Sequence, residues 1–234
     1  MCSSRRDDAV VDTVVLHYFL LVSRADLLIR LLGAPVHVPR IVFDPDESDA
    51  TPPGAMSELT RGIDHHHRRQ RDRTLSESVR QEAAERARNL EVAHHLAAQG
   101  ELMVADMTDA ERSMFARLTA REHIAEFGLR FPLGSGEAAC LTIAIQRNWT
   151  FVTDDNDALG VMKRLDSGHD YERIRRLLYR AGEERLVSRS EANAIHQSMR
   201  LAGFWDNQPP FPAEGHAGPR RHRRPTGRGE QLPS

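Results

Sequence analysis

Short apolar runs rich in β-branched residues, alternating with stretches of helical period, predict an α/β fold built on an open parallel sheet. Three observations carry this expectation. The run Ala9-Val-Val-Asp-Thr-Val-Val-Leu16 is apolar on both faces, as a central parallel strand is. Two further short apolar runs, Leu102–Ala105 and Thr150–Thr153, recur later in the chain. Between them lie helical stretches opened by Ser/Thr-x-x-Glu signatures, in which a hydroxyl and a carboxylate satisfy the first backbone N–H groups of a helix.

The elements follow in order. Ala9–Leu16 is expected as the first strand, which makes Asp12 an anomaly inside it or just past its end. A helix around Arg24–Leu32 should stop at Gly33, and Pro35–Phe43 reads as a second strand and a turn. From Asp44 to Arg73 the pattern dissolves into Asp, Pro, Gly and a His/Arg run, so about 30 residues are expected as a long loop or a poorly formed helix. Thr74-Leu-Ser-Glu77 opens a long amphipathic helix carrying Val79, Ala83, Ala87, Leu90, Ala93 and Ala97, which ends at Gly100. After the strand Leu102–Ala105, Thr108-Asp-Ala-Glu111 caps a helix with Met114, Phe115 and Leu118 on one side. Ser135 is placed to cap a helix through Ala138, Leu141 and Ile143, and Thr150–Thr153 ends at Asp154 and Asp155. Ser188-Arg-Ser-Glu191 opens the last helix, to Met199, with Gly203 as its stop.

The 234 residues are 40% hydrophobic and 28% charged, enough to bury a substantial core. Lys and Arg total 32 against 34 acids, so the net charge of −2 excludes a histone-like positive field, and any nucleic-acid contact must be local. Two cysteines, Cys2 and Cys140, make neither a disulfide framework nor a zinc knuckle, and a reducing cytoplasm is the expected location. The apolar stretch Thr13–Val22 follows Arg5 and Arg6 but is bounded by Asp7, Asp8 and Asp12. It is too short for the ~20 residues that span a bilayer, and reads as a buried strand with no membrane role. Residues 1–206 are expected as one domain. Residues 207–234 hold half of the 12 prolines and five arginines against two glutamates, and are expected as a disordered basic tail.

Ligands of an open parallel sheet sit beyond the carboxyl ends of its strands. Asp12 and the group Asp154, Asp155 and Asp157 fall at that edge, and Glu137 opens a helix just upstream of the second of these strands. At about 4 Å and an effective dielectric of about 20, each carboxylate pair costs roughly 4 kcal/mol, which a divalent cation relieves. All-oxygen ligands favour Mg²⁺ or Mn²⁺ over zinc, and such ions suit attack of water on a phosphodiester. Taken singly, each acid is equally well explained as a turn residue or by the dipole of a helix N-terminus.

Val11-Asp12-Thr13, Gly136-Glu137-Ala138-Ala139 and Val152-Thr153-Asp154-Asp155, in this order and at these distances, resemble the signature of the PIN domain. The closing Ala202-Gly203-Phe204-Trp205 is similar to endings in some of its branches, and the resemblance covers residues 9–206. It implies a three-layer α/β/α sandwich with a central parallel sheet and a Mg²⁺- or Mn²⁺-dependent endoribonuclease. It also implies a link to VapC-type toxins, and with it a small antitoxin protein and a homodimer as partners beside RNA. By the resemblance Asp12, Glu137 and Asp155 are the catalytic metal ligands, with Asp154 and Asp157 as neighbours that bind the metal or orient its water. The further acid that family members carry after a strand and Pro is assigned to Asp44, although Pro45 interrupts the register. Val14 stands where the family commonly has Asn or Ser. A PIN protein that binds RNA or a partner without cutting is the alternative.

Gly134-Ser-Gly136-Glu-Ala-Ala139 also fits a dinucleotide-binding turn, with Asp154 at the spacing of a ribose-binding acid, which would make the chain an oxidoreductase. Against it, Arg130 and Pro132 interrupt the strand that should precede such a turn. The run Asp64–Arg73 and the tail arginines Arg220, Arg221, Arg223 and Arg224 suit phosphate contacts or plain solvation. His94 and His95 lack zinc-site spacing, and Cys140 falls on an apolar helix face as a core residue.

Overall fold

The computed structural model of the chain describes residues 8–43 and 58–212. In order these form β1 (Ala9–Val11), α1 (Thr13–Leu21), α2 (Ala25–Leu32), β2 (Val36–Pro39), α3 (Arg40–Phe43), α4 (Glu58–Arg71) and α5 (Glu77–Ala98). There follow β3 (Leu102–Ala105), α6 (Asp109–Thr119), a 3-10 turn at Arg121–His123, α7 (Ser135–Arg147), β4 (Thr150–Val152), α8 (Asn156–Leu165), β5 (Tyr171–Glu172), α9 (Ile174–Glu183) and α10 (Arg189–Leu201).

The strands make one sheet in the order β3-β2-β1-β4-β5 with every pair parallel. Because strand side chains alternate, Ala9, Val11 and Val152 enter one core with α1, α2, α5, α9 and α10. Val10 and Phe151 point the other way, into a second core with α6, α7 and α8. The expected three-layer α/β/α sandwich is the architecture. Phe19 in one core and Phe151 in the other are fully buried, each worth roughly 1.5–3 kcal/mol of apolar burial.

Several expectations need correction. The first strand stops at Val11, and Thr13–Leu21 is a helix whose Val15, Leu16, Phe19 and Leu20 are buried. Beyond Asp12 no neighbouring strand among the described residues is there to pair with, so a helix is the way to satisfy the backbone, and it overrides the β preference of Thr13, Val14 and Val15. Within the expected loop, residues 58–71 form α4. Its Leu59, Ile63 and His66 face inward at helical spacing, and its arginines stay in water. The long helix α5 is capped by Ser76, whose hydroxyl accepts from the Val79 N–H. Thr74 instead closes a turn on Asp72. Gly134 rather than Ser135 occupies the position before α7.

Other elements stand as read. Leu102–Ala105 is β3, and the Thr108/Glu111 capping box forms in full. At α10, Ser188 caps Glu191 N–H, but the Glu191 carboxylate turns to Arg24 at 2.7 Å instead of closing the box. Packed chain continues past residue 206. Phe211 is buried, stacks on Tyr179 at 4.9 Å, and is bracketed by Asn193, which bonds both its N–H and its carbonyl. The rest of the expected tail, including its arginines, lies outside the described residues. Among the described residues no helix is long and apolar enough to cross a membrane.

Candidate active site

The strand order reverses beside β1, whose neighbours β2 and β4 lead to opposite edges of the sheet, and the crevice at such a switch point is where open sheets bind ligands. Register then fixes the chemistry. Val11 lies opposite Val152, so the next residues, Asp12 and Thr153, emerge side by side. The Asp12 N–H donates to the Val152 carbonyl at 2.9 Å. The Thr153 hydroxyl donates to Asp12 Oδ2 at 2.9 Å and accepts from the Asp155 N–H at 3.1 Å, tying two of the expected acids through one side chain.

Asp12 is 0% exposed, and its Oδ1 is buried without a hydrogen-bond partner among the described residues. Burial, reinforced by Glu137 and Glu58 and opposed by the Thr153 bond, pushes its carboxyl up to about 8. Glu137, in the first turn of α7, is likewise raised by burial and by Glu58 and Asp155. The effects of Glu58 and Glu137 on Asp12, and of Glu58 and Asp155 on Glu137, are the physical sign that these acids share one region.

Glu58 is the acid that sequence reasoning missed. It sits in the first turn of α4, inside the stretch expected as loop, and accepts a hydrogen bond from the Thr13 hydroxyl. The signal was there: Leu59, Ile63 and His66 mark one face of a helix, and Glu58 heads it.

Asp155 caps α8, its Oδ1 accepting from the Ala158 N–H at 2.6 Å, and Asp157 is exposed one residue into that helix. Asp154 points elsewhere. Its Oδ2 accepts from the Ile174 N–H at 2.9 Å and its Oδ1 lies 3.8 Å from Arg173, so it latches the start of α9. Burial raises its carboxyl to about 6. Asp44 lies outside the described residues.

The two glycines of the dinucleotide-like turn have a different use. A side chain at Gly134 would overlap Glu137, and a Cβ at Gly136 would lie 2.7 Å from Glu58 Oε2 and 2.8 Å from Thr13 Oγ1. They make room for carboxylates. No strand precedes the turn, and Asp154 is committed to α9, so neither feature of a dinucleotide site is present. Cys140 is buried in the core, as expected, and donates to the Val11 carbonyl.

Beside the acids opens a groove of about 640 Å³. Thr13, Val14, His17 and Tyr18 of α1, the segment 154–157 and Trp205 line it. Among the described residues no group of three or more Asp, Glu, His or Cys side chains stands in coordinating arrangement. The donor chemistry nevertheless fits a hard divalent cation: the donors are all oxygen, one buried oxygen of Asp12 lacks a partner, and neighbouring acids help to raise the Asp12 and Glu137 carboxyls. Compared with protein-family models, with curated proteins and with solved structures, the chain gives no significant match to any of them.

Proposed function

We propose that the protein is a PIN-like, Mg²⁺- or Mn²⁺-dependent nuclease that hydrolyses RNA phosphodiesters. The observation that carries this reading is the buried Asp12 with its orphaned Oδ1, placed at the sheet's switch point within electrostatic reach of Glu58 and Glu137. Asp12, Glu58, Glu137 and Asp155 would hold the cation, which when bound lowers the pKa of water and offsets charge on the phosphate.

The chain's own groups do the positioning. Thr153 fixes the Asp12 carboxylate by donating to Oδ2, which leaves Oδ1 to bind. Thr13 does the same for Glu58. The Asp155 carboxylate is held by the Ala158 N–H and lines the groove. Nothing in this scheme needs a side-chain nucleophile.

The test is cleavage of labelled RNA in Mn²⁺ by wild type, Asp12→Asn and Asp155→Asn. Each substitution removes a ligand charge while keeping shape, and loss of at least about a hundredfold in rate is expected from each. Cleavage unaffected by both refutes the site. RNA binding without cleavage by wild type supports the non-catalytic alternative.

A further inference from the structure

Four aromatic rings form a connected series at the groove, and three of them line it. His17 meets Tyr18 edge-on at 5.9 Å, Tyr18 meets Phe204 at 5.1 Å, and Phe204 meets Trp205 at 5.8 Å. Two come from α1 and two from the segment after α10. Gly203, at φ 109°, makes the turn that returns this segment, a conformation that side-chain-bearing residues rarely adopt. Phe204 is buried and acts as the anchor, whereas Trp205 is 52% exposed and lines the groove together with His17 and Tyr18. The Arg173 guanidinium lies 5.9 Å from the Trp205 ring centre and is itself held by the Asp154 carbonyl and the Asn156 side chain.

An indole left half in water at the mouth of a carboxylate-lined groove has a specific use. A purely apolar ligand would cover Trp205 but strip water from Asp155, Asn156 and Asp157 without returning hydrogen bonds. A nucleobase presents a flat π-face to the indole and a hydrogen-bonding edge to the polar wall. Only an unpaired base has that face available.

We infer that the groove holds an unpaired base of single-stranded RNA stacked on Trp205, with Arg173 fixing the indole, so that the neighbouring phosphodiester lies by the acids. This deepens the nuclease reading by naming how the substrate is held.

Binding is tested apart from cleavage. The chain has two tryptophans, so Trp149→Phe leaves Trp205 as the sole indole reporter. Titration of that protein, in Ca²⁺, with a short unstructured oligoribonucleotide should quench fluorescence saturably, and the same sequence as a duplex should not. In the wild-type background Trp205→Ala should weaken binding of the labelled oligonucleotide roughly ten- to hundredfold, with Trp205→Phe restoring most of it. Unchanged melting temperatures of both variants separate this from misfolding. Equal binding by wild type and Trp205→Ala, or equal quenching by the duplex, overturns the inference. A response to the DNA oligonucleotide of the same sequence and none to RNA overturns the assignment to RNA. Trp205-dependent binding without cleavage would defeat the nuclease reading and leave this inference standing; metal-dependent cleavage with binding indifferent to Trp205 would do the reverse.

Discussion

Asp12 illustrates how a carboxylate becomes costly by design. Its pKa is raised from 3.8 to about 8, so without metal the native state binds more protons than the unfolded chain across that window. The group's contribution to stability is therefore greatest at low pH and falls as pH rises toward 8. Asp12→Asn, uncharged at every pH, should raise the melting temperature of the metal-free protein at pH 8 and lose that advantage near pH 4. Mn²⁺ should raise the wild-type melting temperature more at pH 8 than at pH 6, because binding releases a proton, and the Asn variant should not respond. Thermal melts in chelator and in Mn²⁺ check both. An acid interrupting an apolar run was visible in the sequence, and so was the Asp154/Asp155 pair. That Asp154 is tied to the start of α9 was not, because that depends on Ile174 and Arg173, whose N–H and guanidinium hold it from twenty and nineteen residues away.

Among the elements, α4 is the one whose position decides the site. Its inward residues pack while its arginines face solvent, so its average character is polar, and that is why composition alone reads the stretch as loop. Strands β3 and β4 were legible because short apolar runs bounded by turn residues have few other readings. The segment 13–21 misled for the opposite reason: β-branched residues suit a strand locally, and only the end of pairing at Asp12 makes them a helix. Glu58→Gln keeps the size of the side chain and the α4 contacts. We expect a folded protein with an unchanged melting temperature and RNA cleavage lowered about tenfold or more, read in the same assay as the Asp12 variant. Equal cleavage would leave Glu58 only its structural bond to Thr13.

At the scale of the molecule, the two cores are closed at different points of the chain. The core on the α1 side includes Phe211, ten residues beyond the end of α10, whose ring packs so tightly that a Cβ at Gly182 would sit 2.5 Å from it. Phe211→Ala should cost about 3 kcal/mol or more in urea unfolding, an outcome that a solvated tail starting at residue 207 would not produce. Proline density suggested disorder from that point, but one aromatic ring and the paired bonds of Asn193 are enough to hold the strand of chain that carries it.

The carboxylates gathered at the sheet edge come from positions 12, 58, 137 and 155, and β1 acquires its β4 partner only when residues 150–152 are in place. During translation, then, the four acids cannot meet until residue 155 has left the ribosome. No fragment that ends before residue 155 would hold all four of these carboxylates.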